Sequence, residues 1–436
     1  MHPIKEKHHA CLVGIDIHIV ADERRHIGML ARQTNWFKND GSLCVSLMAP
    51  IPSSIVFVYK LSISIPIFSI FLYDSIKNYT KGCAFLNHRE NVVAALRRRS
   101  FERIPWQISL CASLQQEMIR RYGTDNMAEV FDMPVQYIEL PPPTNPIDHR
   151  KYHKDPDSLT MMDEWGVGYK QGSVAHFAKF ISPMADFDDP QQVIDYPFPD
   201  PDDPQRWEKA RQQVEKAHAA GRAAAYFALQ VFEPAWYLRG LENMLMDFLC
   251  DEEMAAACIH KMTEYQCRTA KHAAEIGVDI IMFGDDVGTQ KALMMSIDTW
   301  RRWVKPATAA TIAAAKAVNP DVIALYHSDG VIYDIIPELI EIGVDVLNPV
   351  QPECVDPVAL KAQYGDRLSF WGTIGTQTTM PFGTPQEVRE TVKHMIETVG
   401  KGGGLLIAPT HLLEPEVPWE NIEALIQAVK DFGTFA

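Results

Sequence analysis

The strongest indication of the fold lies in the stretch VIALYHSDG, residues 322–330. Its first part, residues 322–326, is an uninterrupted apolar run, which is typical of a strand buried on both faces. The run ends abruptly in an imidazole at His327 and a carboxylate at Asp329. Side chains two residues apart on a strand point to the same side, so this end of the strand is a candidate functional rim.

Similar apolar runs recur along the chain, and helical patterns separate them. Seven runs predict strands, at residues 104–110, 224–229, 279–284, 322–327, 344–350, 368–373 and 404–409. Helices are predicted over residues 87–99, 331–342, 358–364, 385–399 and 418–432. An eighth strand is expected in the irregular region 130–185, which also contains an inserted hairpin over 162–172. Such alternation is typical of parallel strands that helices cover on both sides.

The predicted fold class is therefore α/β, a (β/α)8 TIM barrel with an N-terminal extension. A doubly wound sheet is the alternative, and it would need a glycine-rich phosphate loop after an early strand. The only glycine run, at 402–404, precedes its strand instead. The barrel is the better prediction.

Composition restricts the partners. The chain has 436 residues, 47% of them hydrophobic, and a formal charge of -15. An acidic protein is not expected to bind nucleic acid or an anionic membrane surface. Its eight cysteines are scattered without a CxxC pair. No disulfide framework or thiolate zinc knuckle is indicated, and the expected location is the reducing cytoplasm.

The first 86 residues differ from the rest. They carry nine Lys/Arg and six Asp/Glu, whereas the remainder carries 32 and 50. Residues 48–73 are long and apolar enough to span a bilayer, but Lys60 at the centre would cost roughly 3 kcal/mol. This segment is open to three interpretations: a membrane anchor, an accessory segment, or a poorly ordered extension or mis-called start. The last is favoured, which gives a domain 87–436 after an extension 1–86.

Polar side chains follow nearly every predicted strand. In a parallel barrel the active site lies at the C-terminal ends of the strands, so these side chains are expected on one rim. They are Gln230, Glu233, Trp236, Tyr237, Asp285, Asp286, Gln290, His327, Asp329, Asn348, Gln351, Thr373, Thr376, Gln377, Thr410, His411, Glu414 and Glu416.

Three of these residues form the predicted metal site. His327 and Asp329 can converge from one strand end, and His411 ends the last strand of the barrel. Two imidazoles and one carboxylate with an open position form a common catalytic site for a divalent metal. The alternative is that His327 and Asp329 bond only to each other or to loop backbone.

Asp286 and Glu233 are the candidate catalytic residues. Asp286 would act as a general base or orient an imidazole. Alternatively, one aspartate of the pair 285–286 caps a helix that begins near Gly288. Glu233 would bind a cationic or hydroxylated substrate, or else pair with Arg239. The predicted substrate-binding residues are Trp236, Tyr237, Gln290, Asn348 and Gln377.

Residues 87–432 resemble the uroporphyrinogen decarboxylase superfamily. The resemblance is carried by RENVVAALRRRSFERIPW (89–106), GDDVGTQKALMMSIDTWRRWVKP (284–306), YHSDG (326–330), GVDVLNPVQP (343–352), FWGTIGTQ (370–377) and GGGLLIAPTHLLEPEVPWENIEAL (402–425). It implies a (β/α)8 barrel and one of two chemistries. True uroporphyrinogen decarboxylases use no metal and hold the substrate's carboxylates with an arginine-bearing segment after the first strand. The corresponding residues 107–114 contain no arginine.

The other branch of the superfamily comprises corrinoid-linked methyltransferases, which bind zinc through a His-x-Cys pair and a later cysteine. His327 matches the histidine, while Asp329 and His411 stand in place of the two cysteines. These harder ligands also suit activation of water or of an oxygen-bearing substrate. The resemblance thus implies a metal-dependent methyltransferase, with zinc as the expected ion, that moves a methyl group between a small substrate and a corrinoid protein.

Two further hypotheses remain open at this point. One is metal-free decarboxylation of the uroporphyrinogen type, as in porphyrin biosynthesis. The other is a non-catalytic binding protein built on the same barrel.

Overall fold

The chain divides into two compact units, residues 1–84 and 85–436. The computed structural model describes residues 86–171 and 178–434 of the second unit. In the first unit it describes the antiparallel strands Phe37–Asn39 (β1) and Ser42–Cys44 (β2). The apolar segment 48–73 and the three interpretations of residues 1–86 lie outside the described residues. Among the helices that are described, none is both long and apolar enough to cross a membrane.

Seven parallel strands form the main sheet of the second unit. Their bounds are Val135–Ile138 (β3), Ala223–Leu229 (β7), Ile280–Gly284 (β8), Ile323–His327 (β9), Val346–Val350 (β10), Ser369–Ile374 (β11) and Leu405–Pro409 (β12). Their spatial order is β12-β11-β10-β9-β8-β7-β3. Six of them confirm strands predicted from apolar runs, and β3 is the eighth strand expected in the region 130–185. The predicted hairpin is also present, in a separate antiparallel sheet of Met161–Met162 (β4), Gly168–Gln171 (β5) and Ala178–Ile181 (β6).

Residues 104–110 differ from the prediction, because they form no regular strand. They run parallel to β12 through isolated bridges, and two hydrogen bonds of 2.9 Å join Gln107 N to Ile407 O and Ile407 N to Pro105 O. On the opposite side, Gln107 and Ile108 line a common cavity with Val135, Gln136 and Tyr137 of β3. Proline lacks a backbone donor, so a full ladder cannot form here. The segment nevertheless lies between β12 and β3 and completes the ring of a TIM-type α/β barrel.

Helices surround the barrel and close one end of it. They span His88–Leu96, Ala112–Tyr122, Met127–Phe131, Pro190–Asp195, Pro204–Ala219, Phe232–Arg239, Leu241–Cys250, Glu252–Glu275, Ile297–Val318, Ile336–Glu341, Pro357–Tyr364, Thr379–Phe382, Pro385–Thr398 and Trp419–Phe432. The first begins with a capping box between Asn87 and Glu90. Its Val92 and Leu96 pack with apolar side chains from the strands in a cluster separate from the main core. This helix therefore plugs the N-terminal end of the barrel and leaves the other end for a site.

Strand alternation sets which side chains enter the barrel. On β9, Ile323 and Leu325 belong to the inner cluster, whereas Ala324 and Tyr326 pack against the surrounding helices. The same two-residue period directs His327 to the inside of the C-terminal mouth. No helix begins near Gly288, contrary to one predicted alternative. The loop there folds back through a Gly288–Leu293 bridge, and the next helix begins at Ile297.

Candidate metal centre

Three side chains converge where β8 and β9 end. Asp286, His327 and Asp329 each offer one ligand atom, and these atoms all lie within 4.8 Å of one another. The register explains this arrangement, since Gly284 pairs with His327 and the two strands continue side by side into Asp286 and Asp329. The Nε2 atom of His327 lies 3.5 Å from Oδ1 of Asp286. Asp286, which the sequence suggested as a base or orienting group, thus lies beside two of the predicted ligands.

Gly284 permits this close approach. Its φ is +118°, and a Cβ atom added there would overlap the backbone carbonyl oxygen of His327. Only glycine adopts such a backbone conformation readily, and only glycine leaves room for the neighbouring strand. The glycine at the end of β8 therefore helps to set the spacing between the carboxylate and the imidazole.

Asn348 fixes the orientation of the His327 ring. Its Nδ2 donates to the carbonyl oxygen of Trp371 at 3.3 Å, so its Oδ1 faces His327. That Oδ1 lies 2.7 Å from Nδ1 of His327 and accepts a hydrogen bond from the Nδ1–H group. A neutral imidazole that donates from Nδ1 keeps its lone pair on Nε2, the arrangement usual for a metal-binding histidine. The structure places Asn348 against the His327 ring, and its predicted role in substrate binding stays a prediction.

Asp329 carries an acceptor that the described residues leave unsatisfied. Its backbone N–H donates to Oδ1 of Asp286 at 2.7 Å, which ties the two loops together. Its own Oδ1 is buried and has no hydrogen-bond partner among the described residues. A buried carboxylate oxygen without a donor is costly, and a cation would offset that cost. The residues fit a divalent ion with nitrogen and oxygen ligands.

His411 lies on the same rim but outside this group of three. It follows β12, is exposed, and its Nδ1 lies 3.3 Å from the Leu412 carbonyl oxygen. It shares a cavity of about 210 Å³ with Asp329. The walls of this cavity, here called the rim cavity, are Gln290, Asp329, Gln351, Thr376, Gln377, His411, Leu412, Glu414, Glu416 and Val417. The structure therefore brings His411 next to the site without making it part of the compact cluster.

Asp285 supports the site from behind. It is fully buried and accepts hydrogen bonds from the backbone N–H groups of Val231 at 3.0 Å and Glu233 at 2.7 Å. It therefore caps the start of the helix Phe232–Arg239. The predicted capping role is correct in kind, but the capped helix follows β7 and does not begin near Gly288. The sequence could not show this, because 52 residues separate Asp285 from Glu233.

Glu233 lies against the cluster. Its Oε2 accepts from the backbone N–H of Asp286 at 3.3 Å, and it also bonds to the amide of Gln230. The alternative pairing with Arg239 is wrong, because that guanidinium is buried against Asp247 at 2.8 Å. Within the described part of the chain, Glu233 therefore forms no ion pair with a lysine or arginine, and it lies on the inner face of the site.

The electrostatics reflect an excess of acidic groups. Burial, together with the charges of Asp286 and Asp285, raises the pKa of Glu233 to about 8. Burial raises the pKa of Asp285 to about 7, although the hydrogen bonds that it accepts from backbone N–H groups act in the opposite direction. Burial lowers the pKa of His327, but the carboxylates of Asp286 and Asp329 outweigh this effect, and the net shift is upward. Each shift has the sign that neighbouring negative charge produces, and a bound cation would oppose it.

The remaining predicted substrate residues fall into two groups. Trp236 and Tyr237 have ring centroids 4.0 Å apart, and the Tyr237 hydroxyl lies 3.4 Å from Oε1 of Glu233. Gln290 and Gln377 line the rim cavity and bond to each other at 3.2 Å. Cys354, which the sequence analysis did not select, donates from Sγ to Oε1 of Gln290 at 3.2 Å. In the sequence, only the position of Cys354 shortly after the end of a predicted strand could have indicated that it lies at this rim.

The fold and the site define an α/β-barrel protein with a candidate metal centre in the C-terminal mouth of the barrel. The model of the family "Uroporphyrinogen decarboxylase (URO-D)" matches residues 166–432. The chain belongs to this family, and the superfamily predicted from the sequence is confirmed.

Two of the relatives are methyltransferases from Methanosarcina species. The chain is 25% identical to a methylated-thiol–coenzyme M methyltransferase of Methanosarcina mazei, over 46% of this chain and 51% of the relative. It is 26% identical to methylcobamide:CoM methyltransferase MtaA of Methanosarcina barkeri, over 39% of this chain and 47% of the relative. The matches span about half the length of these relatives. A solved methyltransferase structure from Methanosarcina mazei has the same fold, with a TM-score of 0.60 and 16% identity over 80% of this chain and 99% of that chain.

Proposed function

We propose that the protein is a metal-dependent methyltransferase that moves a methyl group between a small substrate and a corrinoid protein. The observation that carries this proposal is the cluster of Asp286, His327 and Asp329, whose ligand atoms lie within 4.8 Å of one another in the barrel mouth. The methyltransferase names of the two relatives support the reaction class. The corrinoid partner and zinc as the expected ion are parts of the same proposal.

His327 and Asp329 would hold the ion together with Asp286, and His411 lies beside them as the remaining predicted ligand. A divalent ion bound there would act as a Lewis acid and lower the pKa of a substrate thiol or hydroxyl group. The nitrogen and oxygen ligands are harder than the cysteines of the resembled branch. Oxygen-bearing substrates therefore fit the site at least as well as thiols.

The chain's own residues would position the reactants. Asn348 holds the His327 ring, and Asp285 holds the start of the helix that carries Glu233. Glu233 lies against the backbone N–H of Asp286, so its Oε2 would exchange a proton with a substrate at the cluster. Trp236 and Tyr237 would supply an apolar wall on that side, and Gln290 and Gln377 would bind polar substrate groups in the rim cavity.

The walls of the rim cavity argue against a uroporphyrinogen substrate. None of the described residues that line it is Arg or Lys, whereas three are carboxylates. A tetrapyrrole with many carboxylates would be repelled there, because such anions need paired cations for binding. We therefore expect an assay with uroporphyrinogen to show no decarboxylation.

The test combines metal analysis with activity of the full chain. Purified protein is treated with a chelator, reloaded with zinc, and assayed for methyl transfer from methylcobalamin to small thiols, and from methyl ethers to cob(I)alamin. We expect transfer that chelation abolishes and zinc restores, and neither metal nor transfer in His327→Ala. Turnover of uroporphyrinogen that survives chelation would overturn the proposal in favour of decarboxylation.

A further inference from the structure

Gln351 is a polar side chain of the rim to which the proposed function gives no role. It directly follows β10, lines the rim cavity and is only 6% exposed. A primary amide has one acceptor oxygen and two N–H donors, and a buried polar group is costly to leave unpaired. The partners of this amide therefore indicate what kind of molecule the cavity can hold.

The protein fixes the orientation of the Gln351 amide. Its Oε1 accepts from the backbone N–H of Gly330 at 3.2 Å, and the thiol of Cys354 donates to the same oxygen at 3.3 Å. A rotated amide would bring its NH2 group against the Gly330 N–H, where two donors would meet. Because Gly330 follows Asp329, the bond also ties Gln351 to the loop that carries a candidate metal ligand.

The Nε2 group of Gln351 has no acceptor within the described part of the chain. It is not fully enclosed either, so a group in the rim cavity can reach it. The other two amides of the cavity differ, because Gln290 and Gln377 are exposed and water can pair with their remaining donors. Gln351 is thus the buried amide whose donors depend on the molecule that occupies the cavity.

We propose that Gln351 determines specificity by donating a hydrogen bond from Nε2 to an uncharged oxygen of the substrate, such as an ether, hydroxyl or carbonyl oxygen. The described lining contains three carboxylates and neither lysine nor arginine, which disfavours an anionic oxygen. An ammonium group has no acceptor and would leave Nε2 unpaired. This inference rests on the proposed function, because it names the substrate class for the same site.

Two thiols that differ in one group test the inference: 2-methoxyethanethiol has an ether oxygen where 1-butanethiol has a methylene group. Their affinities for the full chain are measured by calorimetry with zinc and by ligand-observed NMR without metal. The ratio of the two affinities isolates the oxygen, because the hydration of the free thiols is the same for every variant. We expect Gln351→Met to shift this ratio against the ether about three- to tenfold, as expected for one lost hydrogen bond.

A second variant separates the contact with substrate from the contact with Gly330. Gln351→Glu keeps an oxygen for the Gly330 N–H but has no N–H group for the cavity, so it should shift the ratio in the same direction even if Gln351→Met folds poorly. Gln363→Met is the control. Gln363 is exposed on the helix Pro357–Tyr364 and does not line the cavity, so the ratio should stay as in the wild type.

An unchanged ratio in a folded Gln351 variant overturns the inference, and so does failure of both thiols to bind with and without zinc. Methyl transfer from methylcobalamin to the same thiols is measured separately. A ratio that responds to Gln351 without any transfer counts against the proposed function alone. Transfer with a ratio that ignores Gln351 counts against this inference alone.

Discussion

The Nδ1 atom of His327 lies 2.7 Å from Oδ1 of Asn348, and this hydrogen bond joins the end of β9 to β10. A second bond of 2.9 Å, from the N–H of Ser328 to the carbonyl oxygen of Asn348, strengthens the same junction. Because the Asn348 amide is itself held by Trp371, the His327 ring cannot rotate without breaking a chain of bonds. The imidazole is therefore oriented before any ligand arrives.

Replacing this asparagine should weaken metal binding. In Asn348→Ala the His327 ring loses its acceptor, and removal of such a partner typically costs 10- to 100-fold in metal affinity. Zinc affinity is measured by competition with a chromophoric chelator. Asn421→Ala is the control, since Asn421 is a buried asparagine that bonds to the backbone of Met380 and Gly383 instead. Equal zinc affinity in both variants would contradict the orienting role.

The ligand set can be resolved by single substitutions. His327→Ala and Asp286→Asn should abolish or strongly reduce bound zinc, because both residues belong to the compact cluster. His411→Ala should retain zinc with an affinity lowered by less than about tenfold, since His411 lies outside that cluster. Metal content is measured by elemental analysis after dialysis. Loss of zinc in His411→Ala would instead make it the ligand that the sequence pattern predicted.

The barrel was predictable because its strands are buried on both faces. Apolar runs such as 322–326 and 404–409 are typical of parallel strands with helices on both sides. The lack of a glycine-rich loop after an early strand then favours the barrel over a doubly wound sheet. The polar rim followed from the same logic, since the C-terminal ends of parallel strands meet at one mouth. The convergence of His327 and Asp329 could therefore be predicted from their two-residue spacing, whereas their role as metal ligands stays a prediction.

What sequence could not provide was the lateral register of neighbouring strands. The pairing of Gly284 with His327 places Asp286 in the cluster, and nothing local to either segment encodes that pairing. The same limit applies to Asp285, whose capped helix follows a different strand. Residues 104–110 look like a strand in sequence, but Pro105 and the side chain of Gln107 replace part of the ladder with local bonds.

The glycine at the end of β8 should be essential for stability and for the site. In Gly284→Ala the new methyl group would overlap the His327 carbonyl oxygen at a φ of +118°. We expect a loss of about 2–4 kcal/mol in the free energy of unfolding, from the positive-φ penalty and overpacking together. Denaturant titration measures it. Gly277→Ala is the matched control, because its φ is +85° with no atom within 4 Å of the added Cβ. Equal losses in the two variants would argue against a tight approach at Gly284.

Asp285 should matter more than an ordinary helix cap. In Asp285→Asn one side-chain oxygen remains, but the new NH2 group faces backbone N–H donors at the start of the helix Phe232–Arg239. An unsatisfied buried donor costs about 1–3 kcal/mol, which urea unfolding would detect. Asp251→Asn provides the comparison, since Asp251 caps the helix Glu252–Glu275 from an exposed position and should cost about 1 kcal/mol or less. Because the capped helix carries Glu233, Asp285→Asn should also lower methyl transfer, whereas Asp251→Asn should not. Comparable losses of stability and unchanged methyl transfer in both variants would show that Asp285 acts only as a helix cap.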